Sequence, residues 1–361
     1  LRYGYTTGAC AAAAAKGAAL LLRHGTAVGT VSITLPNGEQ AGFKLSRQEL
    51  KGDFATCGVI KDAGDDPDVT NGAEIVATVT AINGAEGVKI EGGAGVGRVT
   101  KPGLAVPVGE WAINPVPRRM IEEAVREVFP ATGDRMLIQV SVAVPDGEVL
   151  AKKTLNARLG IVGGLSILGT TGIVKPVSAQ AWTDTIDAAI DVALACGCKA
   201  VVFSTGRTSE LAAQRFFLNR PSAAGGQSAV FPEEAYVMMG DHVGYALRAA
   251  SRKGVAEVVL ACQFAKLLKI ACGHEQTHVA SSELDLKMLA QWLGMEQQTQ
   301  TIAPLAREAN TARQLLEESG KNHALISTVC GRGIEFAGKL SSHVVVKVLL
   351  AGYDGEVLYF A

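Results

Sequence analysis

Glu91-Gly92-Gly93-Ala94-Gly95-Val96-Gly97-Arg98-Val99-Thr100-Lys101-Pro102-Gly103 decides how the first half of the chain folds. It follows Gly87-Val88-Lys89-Ile90, which reads as a strand, and Glu91 to Gly97 fits a glycine-rich nucleotide loop. Such a loop must open a helix whose N-terminus faces the pyrophosphate. Here Pro102, Gly103 and Pro107 follow, and proline and glycine oppose a helix. The segment instead predicts wide glycine turns between strands, leading through Arg98 and Lys101 to Asn114-Pro115-Val116-Pro117-Arg118. A long ordered loop carrying cations is more often functional than structural.

Outward from that loop, residues 1–157 read as an α+β domain. Thr6 or Thr7 can cap an alanine-rich helix that runs to Arg23 and stops at Gly25. Residues 30–35 and 39–45 alternate around Pro36-Asn37-Gly38, a hairpin signal. Asp146-Gly147 and Asp354-Gly355 predict two further hairpins, the first joining residues 138–144 to 148–152. Residues 119–129 predict an amphipathic helix ended by Pro130.

From residue 158 to 335 the grammar changes to α/β. Strands are expected at 200–203, 236–239, 255–262 and 324–329. Helices are expected at 186–194, 210–217, 244–252 and 304–319. Alternation of this kind implies a Rossmann-like domain with a mainly parallel sheet covered on both faces. Ligands of such sheets sit beyond the carboxyl ends of the strands. That rule points to Gly169-Thr170-Thr171-Gly172, Ser204-Thr205-Gly206, Gly240-Asp241-His242, Cys262-Gln263 and Cys330-Gly331. Residues 336–361 form a C-terminal hairpin that could join either domain.

Composition narrows the function classes. The chain has 361 residues and a formal charge of -1, so nothing attracts nucleic acid or anionic lipid globally. A chain of this length buries roughly three quarters of its unfolded surface and needs no disulfides. Seven cysteines without a C-x-x-C spacing suit reduced thiols in the cytoplasm. The apolar residues 9–22 are interrupted by Lys16, are too short to span a bilayer, and lack a basic leader and cleavage pattern. Leu1 in place of methionine leads us to expect a few residues upstream.

Several constellations carry two readings. Ser204, Thr205 and Gly206 can hold a carboxylate or a ribose, or form a plain βα turn. Asp241 can accept from a ribose diol or cap the next helix. The acidic loop from Asp62 to Asp68 fails the calcium-loop pattern, since Asn71 and Ala77 stand where glycine and glutamate belong. It is either a solvated turn, or a source of a proton acceptor beside Lys61. Cys272, His274 and His278 have metal-like spacing, but Gly273 interrupts a common helical face, so no metal is expected. The triad, Walker and zinc-protease motifs do not occur.

Tyr3-Gly4-Tyr5-Thr6-Thr7-Gly8-Ala9-Cys10, Val59-Ile60-Lys61-Asp62-Ala63-Gly64-Asp65-Asp66-Pro67-Asp68, the run from Thr154 to Val174, and Gly273-His274-Glu275-Gln276-Thr277-His278 together resemble the cobalt-precorrin-5B (C1)-methyltransferase family of anaerobic cobalamin biosynthesis. The resemblance implies S-adenosylmethionine as methyl donor and a cobalt-precorrin tetrapyrrole as acceptor, with cobalt present only in the substrate. With that donor, the strand-end loops put its contacts at Gly169, Thr170, Thr171, Gly172, Ser204, Thr205, Gly206 and Asp241. Lys61, Arg98, Lys101 and Arg118 would face the carboxylates of the macrocycle, with Thr6, Thr7 and Asn114 as neutral contacts. Asp62 and His274 are the candidates for proton handling. The enzyme is expected in the cytoplasm, without nucleic-acid or membrane partners, alone or as a homo-oligomer. A nucleotide-dependent oxidoreductase and a non-catalytic tetrapyrrole carrier are the alternatives.

Overall fold

The computed structural model describes residues 1–84, 86–130, 136–219, 231–295 and 297–361. The chain divides into two compact units, Leu1–Ala179 and Gln180–Ala361. The first contains β1 (Gly4–Tyr5), α1 (Thr7–His24), β2 (Thr30–Thr34), β3 (Gln40–Lys44), β4 (Arg47–Lys51), β5 (Phe54–Ile60), β6 (Glu74–Asn83) and β7 (Gly87–Gly92). It continues through β8 (Arg98–Val99), α2 (Pro115–Arg126), β9 (Met136–Ala143), α3 (Gly147–Ala151), β10 (Ile161–Val162) and β11 (Ile173–Val174).

Helix α1 begins where Thr6 Oγ1 accepts from the Ala9 amide and ends at left-handed Gly25. Its residues from Ala9 to Ala15 are fully buried. A helix buried on all sides needs small side chains, and these alanines share one core with the sheet β4-β5-β6-β9-β7 and with α2. That sheet is antiparallel except for β7, which runs parallel to β9.

The glycine run is explained by packing. Leu165 N–H donates to the Gly95 carbonyl and Val144 N–H to the Ala94 carbonyl. A methyl on Gly95 would lie 1.9 Å from the Val144 oxygen; one on Gly147 or Gly164 would lie 2.0 or 2.2 Å from the Gly95 oxygen. Three segments thus cross backbone on backbone. The crossing holds Gly147 against Gly95, and residues 147–151 close a helical turn there instead of the expected hairpin strand. Residues 158–179, expected in the second domain, lie in the first unit because β10 pairs with β8 and β11 with β1. Helix α2 starts at Pro115, earlier than expected; proline is favoured in a first turn, where its missing N–H has no partner to lose.

The second unit contains α4 (Ala179–Ala195), β12 (Ala200–Ser204), α5 (Arg207–Asn219), β13 (Tyr236–Met238), α6 (Val243–Lys253), β14 (Glu257–Gln263) and α7 (Phe264–Ala271). After these come α8 (Leu286–Met295), α9 (Ala303–Glu308), α10 (Ala312–Glu318), α11 (His323–Leu340), β15 (Val345–Ala351) and β16 (Val357–Phe360). The sheet order is β13-β12-β14-β15-β16. The first four strands are parallel and β16 is antiparallel, so the C-terminal hairpin completes this sheet. Val202, Val259 and Ala261 pack with Ala212, Ala213 and Phe217 of α5 on one face. Val201, Phe203, Val258 and Leu260 pack with residues of α4, α6, α7 and α11 on the other.

Two expectations fail here. Residues 324–329 lie in α11, where Asn322 Oδ1 accepts from the Ala324 and Leu325 amides and Leu325, Ile326, Val329, Cys330, Gly333 and Ala337 are buried at helical spacing. A short apolar run does not distinguish a strand from a buried helix, and Cys330-Gly331 therefore marks no strand end. The helix expected at 304–319 is two, because Thr311 caps a fresh start at α10.

Gly95→Ala is expected to cost about 3 kcal/mol or more of unfolding free energy. Gly38→Ala, whose φ of 86° is equally left-handed but whose added methyl meets nothing, should cost about 1–2 kcal/mol. Urea denaturation of both variants checks this; equal losses would contradict the backbone crossing.

Candidate functional site

The sheet of the second unit is doubly wound. From β12 the chain crosses through α5 on one face to β13, then through α6 on the other face to β14, with β12 between them. The winding direction reverses between β12 and β14. Outside the carboxyl ends of two such strands a crevice forms, because their connections leave toward opposite faces.

Thr205 and Gly206 line that edge after β12. Thr205 N–H donates to the Ala261 carbonyl at 3.2 Å, and open space surrounds the Gly206 α-carbon. Ser204 is turned inward: it is fully buried, and its hydroxyl bonds Glu210 Oε2 at 3.3 Å. Asp241, after β13, accepts from Lys266 Nζ and from Thr277 Oγ1 at 2.6 Å. Burial works to raise the Asp241 pKa, but the bonds from Lys266 and Thr277 outweigh it and hold the group below its ordinary value. Asp241 is therefore an ionised acceptor at the carboxyl edge and not the cap of α6, a place His242 takes.

The segment carrying His274 is fastened to this edge. Thr277 N–H donates to the Asp241 carbonyl at 3.0 Å, Gly244 N–H to the Glu275 carbonyl at 2.9 Å, and Glu275 receives Arg248. His274 itself is half-buried. Sequence reading pointed to His242 through Gly240-Asp241-His242 but missed Lys266, Lys269 and Gln276 as site residues here. Two lysines three residues apart in an otherwise apolar helix were the available signal.

In the first unit a second set converges on the N-terminal end of α1. Thr6 N–H donates to the Gly172 carbonyl at 3.0 Å, Thr7 Oγ1 accepts from Leu168 N–H at 3.0 Å, and Tyr5 N–H donates to the Asp62 carbonyl at 2.8 Å. Asn114 N–H meets the Ile167 carbonyl at 2.9 Å. Gly169 and Gly172 serve packing: a methyl on either would strike Thr6 or Leu35. Thr171 Oγ1 is engaged by its own loop at Ile173, and Thr170 is exposed. The 169–172 loop thus belongs to the first unit, not to the edge of the parallel sheet.

The cations differ from one another. Lys61 is 2% exposed and ion-paired with Asp68 at 2.6 Å; Thr70 donates twice to the same carboxylate. Arg118 spends its guanidinium on the carbonyls of Ile113, Ile90 and Trp111. Lys101 reaches the Arg158 carbonyl at 3.3 Å. Arg98 is exposed, stacked 3.9 Å from the Trp111 ring centre, and anchored at 2.6 Å to the Gly109 carbonyl. The fork of Arg2 clamps Asp62, and with the Gly64 amide holds its pKa at about 2. A carboxylate that acidic is a weak proton acceptor at neutral pH.

Among the described residues no three His, Cys, Asp or Glu side chains converge as a metal site, and no helix is long and apolar enough to cross a membrane. The glycine run of residues 92–97 leads into the two-residue strand β8 and not into a helix, so it lacks the context of a pyrophosphate loop.

Residues 1–176 match the family model described as CbiD, nearly the whole first unit. Over its full length the chain is 61% identical to the cobalt-precorrin-5B C(1)-methyltransferase of Geotalea daltonii and 62% identical to that of Geobacter sulfurreducens, covering 98% of each. The crystal structure of the cobalamin biosynthesis protein CbiD from Archaeoglobus fulgidus is 31% identical, with 75% of this chain and 79% of that one covered at a TM-score of 0.39.

Lys61→Met should cost about 3–5 kcal/mol, because it strands the Asp68 charge; adding Asp68→Asn should restore part of the loss in urea denaturation. Asp62 should titrate near pH 2 by NMR. Its folded pKa is depressed, so its contribution to stability is present at neutral pH and is lost as pH falls toward 2. Arg2→Ala should raise the midpoint toward the ordinary carboxylate range, the Gly64 amide keeping it somewhat low; an unmoved midpoint would contradict the clamp.

Proposed function

The chain belongs to the CbiD family, and we propose that it transfers a methyl group from S-adenosylmethionine to carbon 1 of cobalt-precorrin-5B, giving cobalt-precorrin-6A and S-adenosylhomocysteine. The observation that carries this reading is identity of about three residues in five, across both units, with proteins named for that reaction.

The chemistry is an in-line displacement. A ring carbon supplies the electron pair for the new C–C bond, and the methyl–sulfur bond breaks with its pair going to sulfur. The sulfonium is already an activated leaving group, so the protein's task is to align two reactants and exclude water. No activated nucleophile of the protein is needed.

The doubly wound sheet supports placing the donor at its carboxyl edge. Thr205 and Gly206 would meet the adenosyl portion, and Asp241, ionised at the end of β13, is suited to accept from a ribose diol. In the first unit Arg98 is the exposed cation best suited to a carboxylate of the macrocycle, with its fork held flat on Trp111. Lys61 and Arg118 would act one step back, holding the loops that present the surface. Thr6, Thr7 and Asn114 do the same at the N-terminal ends of α1 and α2.

Anaerobic incubation with methyl-labelled S-adenosylmethionine and cobalt-precorrin-5B should place label on carbon 1. Arg98→Ala should raise KM for the tetrapyrrole about tenfold with kcat little changed. Binding of the tetrapyrrole without methyl transfer, or oxidation of a nicotinamide cofactor in its place, would contradict the proposal.

A further inference from the structure

Two lysines of α7 are brought to one oxygen. Lys266 and Lys269 lie one turn apart, and each places its Nζ 3.1 Å from the Thr277 carbonyl. Lys266 is also bonded to the Asp241 carboxylate, and Lys269 feels its charge. Lys269 is 9% exposed. Burial first, and then the neighbouring Lys266 charge, push its pKa below the ordinary lysine value. Like charges held this close in a partly dry site repel unless an anion joins them.

The same loop carries an unmet acceptor. Gln276 Nε2 lies 3.2 Å from His242 Nδ1, while Gln276 Oε1 is buried with no hydrogen-bond partner among the described residues. Turning the amide over leaves its nitrogen unpaired instead. Buried polar groups are nearly always satisfied, and an exception asks for a ligand or water. The cluster is reachable: the side chains of Lys266 and Asp241 are 32% and 25% exposed.

An excess of ammonium donors next to an unpaired acceptor and a carboxylate is the complement of a zwitterion. We propose that Lys266, Lys269 and Gln276, beside Asp241, form a subsite for the α-amino-acid end of a ligand. The two lysines take the carboxylate, and Gln276 Oε1 takes the ammonium. Given the methyl-donor reading above, on which this rests, that end is the methionine portion of S-adenosylmethionine.

Titration calorimetry on the full chain tests the subsite with two probes, S-adenosylhomocysteine and 5′-methylthioadenosine, which lacks the amino-acid end. The unaltered protein should prefer the first by about tenfold or more, the scale of a charge-assisted pair. Lys266→Gln and Lys269→Met should each remove most of that preference and leave methylthioadenosine affinity within about twofold, which also shows the site intact. Lys266 is partly exposed, so its variant keeps the test open if Lys269→Met does not fold. A preference that survives Lys266→Gln would overturn the subsite while sparing the donor reading. An unaltered protein that binds neither probe would overturn both.

Discussion

The crossing of Gly95 with Gly147 and Gly164 is the constraint on which the first unit depends. Three loops meet there at backbone distance, and no side chain fits between them. The contact fixes where β9 ends, turns residues 147–151 into a helix, and docks the 161–168 segment against residues 96–99. From that dock the chain runs on to Leu168 and Gly172, whose carbonyls receive the amides of Gly8 and Thr6 at the start of α1. The glycines of the opening segment thus serve the main chain's own approach, and the cation that remains outward is Arg98.

In the second unit the governing constraint is topological. A parallel sheet whose connections reverse between β12 and β14 leaves its carboxyl edge open at that point. Small and polar residues collect there, with Thr205-Gly206 on one side and the Asp241–Lys266–Thr277 network on the other. Stability and function pull against each other in this network. Two lysines on one carbonyl and a half-satisfied glutamine are costly, and the proposed zwitterionic ligand would answer both costs.

Much of this was legible in the sequence because local and global preferences agree. The Thr6 cap and Gly25 stop, the Asn37-Gly38 turn and the alternating β/α order are each set by neighbours in the chain. The misreadings share a different cause. Gly147 reads as a hairpin turn until Gly95 is placed against it. The apolar run at 324–329 suits strand and buried helix alike. Pro115 looks like a breaker until its position in the first turn is known. For the site, Lys61 and Arg118 carry the right charge for a carboxylate ligand, but the sequence does not reveal that Asp68 and three carbonyls already occupy them. Gln276 shows the reverse case: an ordinary polar residue in sequence becomes informative only when its buried oxygen is seen to lack a partner.

The central claim is that the methyl donor binds at the carboxyl edge of the doubly wound sheet. A crystal structure of the protein with S-adenosylhomocysteine tests it most directly. The account predicts the adenosyl group against Thr205 and Gly206, with the ribose hydroxyls near Asp241. Density for the ligand in the first unit, against Gly169-Thr170-Thr171-Gly172, would contradict it.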